Sequence, residues 1–250
     1  MSNPRILLEA RELTVRFGGL TAVDSVSATL RSGEIVGIIG PNGAGKTTFF
    51  NAISGVVMPT SGRLLVEDGI ELTRRGPHLY AAHGIARTFQ TPRVMADMTL
   101  ADNVRFGMQF AGRHREPIAG LGSTGEILDM LGLGALANNT AAGITPSQQR
   151  LLEIGMALGT RPRVLLLDEV AAGLTEAEVD SMARRIRRLR DEHGLTVVWI
   201  EHAVATLLKY VERVLVLHQG RKIADGTPAE VVRNAEVVEA YLGDEMEATA

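Results

Sequence analysis

The strongest chemical signal in the chain is a glycine-rich run that ends in a lysine and a threonine. The run fits the pattern G-x-x-x-x-G-K-[ST] without a mismatch and consists of Gly40, Pro41, Asn42, Gly43, Ala44, Gly45, Lys46 and Thr47. Glycines allow successive main-chain N–H groups to point toward one place, and such a concave set of donors binds anions. The run is therefore predicted to hold the phosphates of a nucleotide.

The residues on either side supply the context that this chemistry needs. The apolar stretch 35–39 is predicted to be a strand, and residues 48–53 are predicted to be helical. The helix that begins near Lys46 would add unpaired N–H groups and the positive end of its dipole. We expect Lys46 to bridge the β- and γ-phosphates, Thr47 to ligate Mg²⁺, and Thr48 to complete the nucleotide-binding run.

A second candidate for chemistry is a pair of acids at the end of an aliphatic run. Residues 163–167 are predicted to form a parallel strand buried on both faces, and Asp168 and Glu169 follow at the edge where α/β sheets bind ligands. We expect Asp168 to hold Mg²⁺ and Glu169 to polarise the attacking water as a general base. Acid pairs at strand ends are common, so the assignment depends on the glycine-rich run as well.

Phe17 and His202 each have two interpretations. Phe17, in a predicted N-terminal layer of strands, can stack on an adenine ring or be an ordinary half-buried strand residue. His202 follows the predicted buried strand 195–200, where it can reach the γ-phosphate or serve as a hydrogen-bonded structural histidine.

Local patterns predict several more elements. Thr145 and Gln148, with Pro146 between them, form a capping box, which predicts the start of a helix. Thr175-x-x-Glu178 and Thr227-x-x-Glu230 predict two more helix starts in the same way. A strand is expected to end near Thr91-Pro92, residues 112–126 are expected to be a loop, and residues 214–224 are expected to form a hairpin around Gln219-Gly220.

Composition excludes several classes of protein. The 250 residues are 45% hydrophobic and 22% charged, as in ordinary globular proteins, and the net charge of −3 argues against nucleic acid as a partner. The absence of cysteine excludes disulfides and thiolate metal sites, which suits the cytosol. Because no apolar run approaches about 18 residues, the chain is not expected to span a membrane.

From about Leu8 to Gly243 the chain resembles the ATP-binding subunits of ABC transporters. The resemblance implies that Phe17 is the A-loop aromatic, Gln90 the Q-loop glutamine that contacts Mg²⁺ and the attacking water, residues 171–175 the D-loop, and His202 the switch histidine. It implies an α/β P-loop NTPase fold with an antiparallel β layer at the N-terminal side and a helical subdomain. The expected boundaries are 1–90 and 160–225 for the RecA-like core, 91–159 for the helical subdomain, and 228–243 for a C-terminal helix.

Shorter matches favour one branch of that family. The subunits that energise uptake of branched-chain amino acids have similar motifs at residues 86–90, 168–174, 200–202 and 240–243. Urea or amide importers and, less closely, lipopolysaccharide exporters share many of these motifs. The resemblance implies ATP as the nucleotide, a second ATP-binding subunit of the same or a different chain, transmembrane permease subunits, and indirectly an extracytoplasmic substrate-binding protein. It also implies a peripheral position on the cytoplasmic face of the inner membrane.

The chain departs from the family at the signature motif. Residues 144–148 read I-T-P-S-Q where L-S-G-G-Q is typical, or L-x-Y-G-Q in this branch, and by resemblance Thr145, Ser147 and Gln148 face the nucleotide held by the partner. Pro146 has no N–H to donate, and Ser147 adds a side chain where glycine allows close approach to phosphate. We expect a weakened ATP site in the partner; the alternative is a nucleotide-binding regulatory subunit with little hydrolysis.

Overall fold

The computed structural model describes residues 4–111, 116–201 and 204–247, without the side chains of Asp68 and of residues 242–247. The chain divides into two compact units, a first unit of Met1–Tyr80 with Val198–Ala250 and a second unit of Ala81–Val197. The expected division into a RecA-like core and a helical subdomain stays a prediction. Within the described ranges, no helix combines the length and the apolar character needed to cross a bilayer.

An antiparallel sheet of four strands lies in the first unit. Its strands are β1 (Ile6–Phe17), β2 (Leu20–Arg31), β4 (Ser61–Val66) and β5 (Ile70–Glu71), in the order β2-β1-β4-β5. β1 and β2 pair from Ile6↔Arg31 to Phe17↔Leu20, so a tight turn at Gly18-Gly19 joins them. This sheet confirms the expected antiparallel layer at the N-terminal side.

The first unit also contains a parallel strand pair that carries the glycine-rich run. β3 (Ile35–Ile39) is fully buried and pairs in parallel with β9 (Arg213–His218), which pairs antiparallel with β10 (Arg221–Gly226). The predicted hairpin around Gln219-Gly220 is thereby confirmed. Helix α1 (Lys46–Ile53) follows β3 after the glycine-rich loop.

The C-terminal part of the first unit contains two helices in place of one continuous helix. After the four-residue helix α7 (Val204–Leu207), helix α8 (Pro228–Val231) is capped by Thr227 as predicted, and α9 (Ala235–Glu247) begins separately. The chain restarts there because the Asn234 carboxamide oxygen accepts the Glu236 N–H at 2.9 Å.

The second unit places a parallel strand pair beside a group of helices. β6 (Ile85–Arg87), which follows helix α2 (Pro77–Ala82) in the chain, pairs in parallel with β7 (Val164–Asp168). The helices are α3 (Leu100–Gln109), α4 (Thr124–Met130), α5 (Pro146–Gly159) and α6 (Glu176–His193), and β8 (Thr196–Ile200) follows α6. The capping boxes predicted at Thr145 and Thr175 begin α5 and α6.

Two boundaries in the second unit differ from the sequence expectation. The strand expected to end near Thr91-Pro92 ends at Arg87, because the Phe89 and Arg93 N–H groups both donate to one carboxylate on α5, which curls the chain out of the strand. The loop expected over 112–126 is shorter, since Ser123 caps α4, which begins at Thr124. Residues 112–115 lie outside the described ranges.

Helices α3 and α5 approach each other through glycine. A Cβ atom on Gly107 of α3 would lie 2.2 Å from the Met156 carbonyl oxygen on α5. A Cβ on Gly159 of α5 would lie 2.9 Å from the Val104 carbonyl oxygen on α3. The two backbones are therefore in contact at a distance that only glycine allows.

We expect Gly107→Ala to lower the free energy of unfolding by about 1–3 kcal/mol, because the added methyl overpacks the α3–α5 contact. Gly125→Ala in α4 is the control, since a Cβ there meets nothing within 4 Å; it should be neutral or stabilise by up to about 1 kcal/mol. Urea unfolding of both variants tests this, and equal midpoints would contradict it.

Candidate functional site

The glycine-rich loop presents the start of a helix that no side chain caps. Gly45 is the N-cap of α1, in the left-handed region at φ 94°, and makes no side-chain cap hydrogen bond. The first N–H groups of an α-helix have no partner inside the helix, and together with the helix dipole they attract an anion. This is the geometry that binds phosphate at the start of a helix.

Close contacts with neighbouring backbone keep this loop in shape. A Cβ on Gly45 would lie 2.2 Å from the Ala22 carbonyl oxygen, and one on Gly40 would lie 2.0 Å from the Leu217 carbonyl oxygen. A side chain at either position would push the loop off the strands that support it. The glycines are therefore required by packing as well as by the turn.

Lys46 is buried and held by the loop that it follows. Its side chain is only 6% exposed, and its Nζ donates to the carbonyl oxygens of Gly40 at 2.6 Å and Pro41 at 2.8 Å. The ammonium is thus fixed at the glycine-rich loop by backbone acceptors. The loop combines uncapped N–H groups with a positive charge, and this combination fits a polyphosphate.

The remaining first-unit candidates are open to solvent to different degrees. Thr47 and Asn42 are exposed, and Thr48 is half-buried. Phe17 lies at the end of β1 and is 51% exposed, so much of its ring is available for stacking. Its role against an adenine ring remains a prediction.

In the second unit, two buried carboxylates lie at the end of β7. Asp168 and Glu169 are 5% and 6% exposed, respectively. Asp168 Oδ2 lies 2.9 Å from Arg87 Nη2, and its main-chain N–H donates to Thr88 Oγ1 at 3.2 Å. Arg87 thus supplies the charge that a buried carboxylate needs.

Burial dominates the titration of this ion pair. Removal from water raises the pKa of Asp168, while Arg87 lowers it and the Glu169 carboxylate adds to the increase. Burial likewise lowers the pKa of Arg87, against the attraction of Asp168. Desolvation outweighs the mutual attraction on both sides, so the site would gain from another positive charge.

The structure brings Gln90 and Glu169 together. Gln90 Nε2 donates to Glu169 Oε2 at 2.6 Å. Glu169 itself has a positive φ of 49°, an uncommon conformation for a residue other than glycine. This turn directs the chain away from β7 immediately after Asp168.

The residues that the resemblance places in the signature motif lie at the start of α5. Thr145 is the N-cap, with its Oγ1 accepting the Gln148 N–H at 3.3 Å, and Gln148 Oε1 accepts the Thr145 N–H at 3.0 Å. Ser147 Oγ lies 2.9 Å from Thr145 Oγ1. Thr145 and Pro146 are exposed, whereas Ser147 and Gln148 are half-buried.

Arg87 and Arg150 belong to this site, and sequence reasoning did not single them out. Arg150 of α5 donates to the carbonyl oxygens of Gln90 at 3.3 Å, Glu169 at 3.0 Å and Ala172 at 2.8 Å. The available signals were Arg87, shortly before the predicted strand end, and Arg150, just after a capping box. Neither signal identifies the distant residue that the arginine binds.

The candidate residues do not all belong to one unit. The glycine-rich loop and Phe17 are in the first unit, while Gln90, Asp168, Glu169 and the signature residues are in the second. His202 lies outside the described residues. Just before it, Glu201 is buried and its Oε1 accepts the Trp199 indole N–H at 2.8 Å.

The loop, the buried acid pair and the strand-loop-helix order define a P-loop nucleotide-binding protein of the α/β class. Residues 23–172 match the family described as ABC transporter, and residues 221–247 match the description Branched-chain amino acid ATP-binding cassette transporter. The chain belongs to the ABC transporter family. It is an ATP-binding protein and an ATP hydrolase of that family.

Relatives of this chain align over almost their full length. It is 39% identical to the high-affinity branched-chain amino acid transport ATP-binding protein BraF of Pseudomonas aeruginosa, covering 98% of this chain and 100% of BraF. It is 37% identical to the protein LivG of Escherichia coli, which bears the same description, over 98% and 100% of the two chains.

Solved structures agree on the fold. An ATP-binding cassette of an ABC transporter in its ADP conformation superposes with a TM-score of 0.83 at 30% identity, covering 95% of this chain and 99% of that one. A nucleotide-free cassette gives a TM-score of 0.82 at 29% identity, covering 94% and 98%. These neighbours confirm the expected P-loop ABC ATPase fold.

We expect Arg87→Met to lower the free energy of unfolding by about 3–5 kcal/mol, because it leaves the buried Asp168 carboxylate without its cation. Arg105→Met is the matched control, since Arg105 pairs with Asp102 on the exposed surface of α3; it should change stability by no more than about 1 kcal/mol. Urea unfolding near neutral pH measures both, and a loss for Arg87→Met as small as the control's would contradict the assignment.

Proposed function

We propose that this chain is the ATP-hydrolysing subunit of an importer for branched-chain amino acids. The observation that carries the proposal is the near full-length similarity to BraF and LivG, extended by the match at residues 221–247. The first-unit loop and the second-unit acid pair supply the chemistry that such a subunit needs.

The nucleotide is held by residues 40–48, with Lys46 against the β- and γ-phosphates and Phe17 against the adenine ring. No cluster of three or more His, Asp or Glu side chains suited to a metal occurs among the described residues. Mg²⁺ commonly takes one or two carboxylates and completes its shell with substrate phosphates and water. Thr47, Gln90 and Asp168 are its proposed protein ligands.

When bound, Mg²⁺ neutralises charge that develops on the phosphates. The protein residues position and activate the water. Glu169 accepts a hydrogen bond from Gln90, which fixes one carboxylate oxygen and leaves the group oriented as a general base. His202 is proposed to contact the γ-phosphate.

The partners follow from the family and from the names of the relatives. We assign a second ATP-binding subunit, identical or different, with ATP held between the glycine-rich loop of one subunit and the α5 start of the other. Transmembrane permease subunits carry the cargo, and an extracytoplasmic binding protein delivers it. The chain would then lie on the cytoplasmic face of the inner membrane as a peripheral subunit.

Glu169→Gln should reduce phosphate release by the assembled transporter about 10²- to 10⁴-fold, the contribution typical of a general base, while ATP binding persists. Glu192→Gln, on the exposed surface of α6, is the control and should leave turnover unchanged. Unchanged turnover in Glu169→Gln would refute the role assigned to this residue.

The start of α5 is proposed to weaken the ATP site of the partner. Pro146 occupies the first helical position and offers no N–H, and Ser147 places a side chain beside Thr145 Oγ1 where glycine is typical of the family. The helix dipole still points toward the anion, so attraction is reduced and not abolished.

A second function is favoured by the same two residues. In a regulatory subunit, ATP would clamp the dimer and hydrolysis would contribute little. Both the weakened ATP site and the regulatory role predict that turnover rises when the typical glycines are restored.

The double variant Pro146→Gly with Ser147→Gly should raise turnover about ten- to a hundredfold if one charge-assisted hydrogen bond to the transition state is regained. The matched control is Pro228→Gly with Ala229→Gly, since Thr227 caps α8 through the same Thr-Pro arrangement. Steady-state phosphate release by the assembled complex measures both pairs. No gain over the control would remove the proposed weakening and the regulatory alternative together.

A further inference from the structure

The loop that carries Gln90 is tied to α5 by one buried carboxylate. Glu153, in the second turn of α5, is 5% exposed. Its two oxygens accept the Phe89 N–H, each at 3.3 Å, and Oε1 also accepts the Arg93 N–H at 3.0 Å. The two N–H groups lie on either side of Gln90 in the chain, so the carboxylate closes a short loop around that residue.

Side chains of the same loop reinforce this arrangement. The Arg93 guanidinium lies 3.9 Å from the centre of the Phe89 ring, and the Arg87 guanidinium lies 4.8 Å from it. Phe89 is thus contacted by two cations while its main chain is bound to Glu153. From α5, Arg150 donates to the Gln90 carbonyl oxygen at 3.3 Å.

Glu153 has no role in the proposed hydrolysis mechanism so far. It is not one of the proposed Mg²⁺ ligands. A buried carboxylate is costly, and here its hydrogen bonds go to main-chain donors of the Gln90 loop. Such a group is well suited to fix a catalytic side chain through the backbone that carries it.

We propose that Glu153 is a positioning residue for hydrolysis, which holds the Gln90 loop on α5 so that the Gln90 amide reaches Glu169. The inference rests on the proposed role of Gln90 and Glu169. It adds that the hydrogen bond between these two residues depends on a carboxylate more than 60 positions along the chain. Movement of α5 would then be passed directly to the catalytic pair.

The charge state of Glu153 should matter for this role. Burial raises its pKa to about 7, against the hydrogen bonds from Arg93 and Phe89 and the charges of Arg150 and Arg93. Arg87 on β6 also acts on it, whereas the charged residues of the neighbouring α3 and α4 are exposed or half-exposed: Asp102, Arg105, Glu126 and Asp129. Protonation converts one acceptor oxygen into a donor, which opposes an N–H of the loop.

The first test is hydrogen exchange of the full-length chain without nucleotide. Glu153→Gln carries an amide group in place of one acceptor oxygen and should speed exchange at residues 88–94 about tenfold or more. Glu126→Gln, which alters an exposed capping-box glutamate of α4, is the control and should leave that segment unchanged. Unchanged exchange at residues 88–94 in Glu153→Gln would overturn the proposal.

The second test is kinetic and uses the assembled transporter. Glu153→Gln should lower kcat about tenfold above pH 7 with the KM for ATP within about twofold, because orientation is lost and not nucleotide affinity. The difference from the wild type should shrink below about pH 7, because burial raises the pKa of Glu153 to about 7. An unchanged kcat, or a change in KM alone, would overturn the positioning role.

A measurement without any substitution covers the case in which Glu153→Gln fails to fold. In the wild-type chain, protection of residues 88–94, corrected for intrinsic exchange, should rise from about pH 6 to about pH 8. Exchange of these residues at the intrinsic, unprotected rate at both pH values would contradict the proposal. These results are separable from the proposed function, because the exchange data report the loop alone and the Glu169→Gln turnover reports the hydrolytic assignment.

Discussion

The cost of burying two adjacent carboxylates shapes much of the second unit. Asp168 and Glu169 are both less than a tenth exposed, and neither could remain there charged without compensation. One segment supplies both partners, since Arg87 ends β6 and Gln90 follows three residues later. The parallel pairing of β6 with β7 puts Arg87 opposite Leu166, two residues before Asp168. Sheet register therefore sets the distance between the charges.

The main chain beyond β7 needs side chains to hold it, because it has left the sheet. Glu169 turns through a positive φ, and its carbonyl oxygen and those of Gln90 and Ala172 are bound by the Arg150 guanidinium. Glu153, one turn further along α5, binds N–H groups of the Gln90 loop. Helix α5 thus binds N–H groups of the loop through the Glu153 carboxylate and carbonyl oxygens through the Arg150 guanidinium. Through these contacts α5 connects its own first residues with the acid pair.

Sequence reasoning was accurate where the governing interactions are local. The capping boxes at Thr145, Thr175 and Thr227 and the hairpin over 213–226 depend on residues within a few positions, and all are present. Helix α3 was not recognised, although Thr99 caps it by accepting the Asp102 N–H. Arg87 and Glu153 could not be found in this way, because their partners lie 81 and 64 positions away. The end of a strand also depends on tertiary contacts, as the hydrogen bond from the Phe89 N–H to α5 shows.

In the proposed function, the start of α5 serves two purposes that draw on the same donors. A strong capping box stabilises the helix by binding its first N–H groups, whereas an anion site needs those groups unbound. Among the first three helical positions, Pro146 has no N–H and the Gln148 N–H is donated to Thr145, so the Ser147 N–H is the main-chain donor left for a phosphate. The loop before α1 takes the opposite course: its N-cap is Gly45, which makes no side-chain cap bond. The start of α1 leaves its first N–H groups without a side-chain cap, as an anion site needs, whereas the start of α5 uses one of its N–H groups to stabilise the helix.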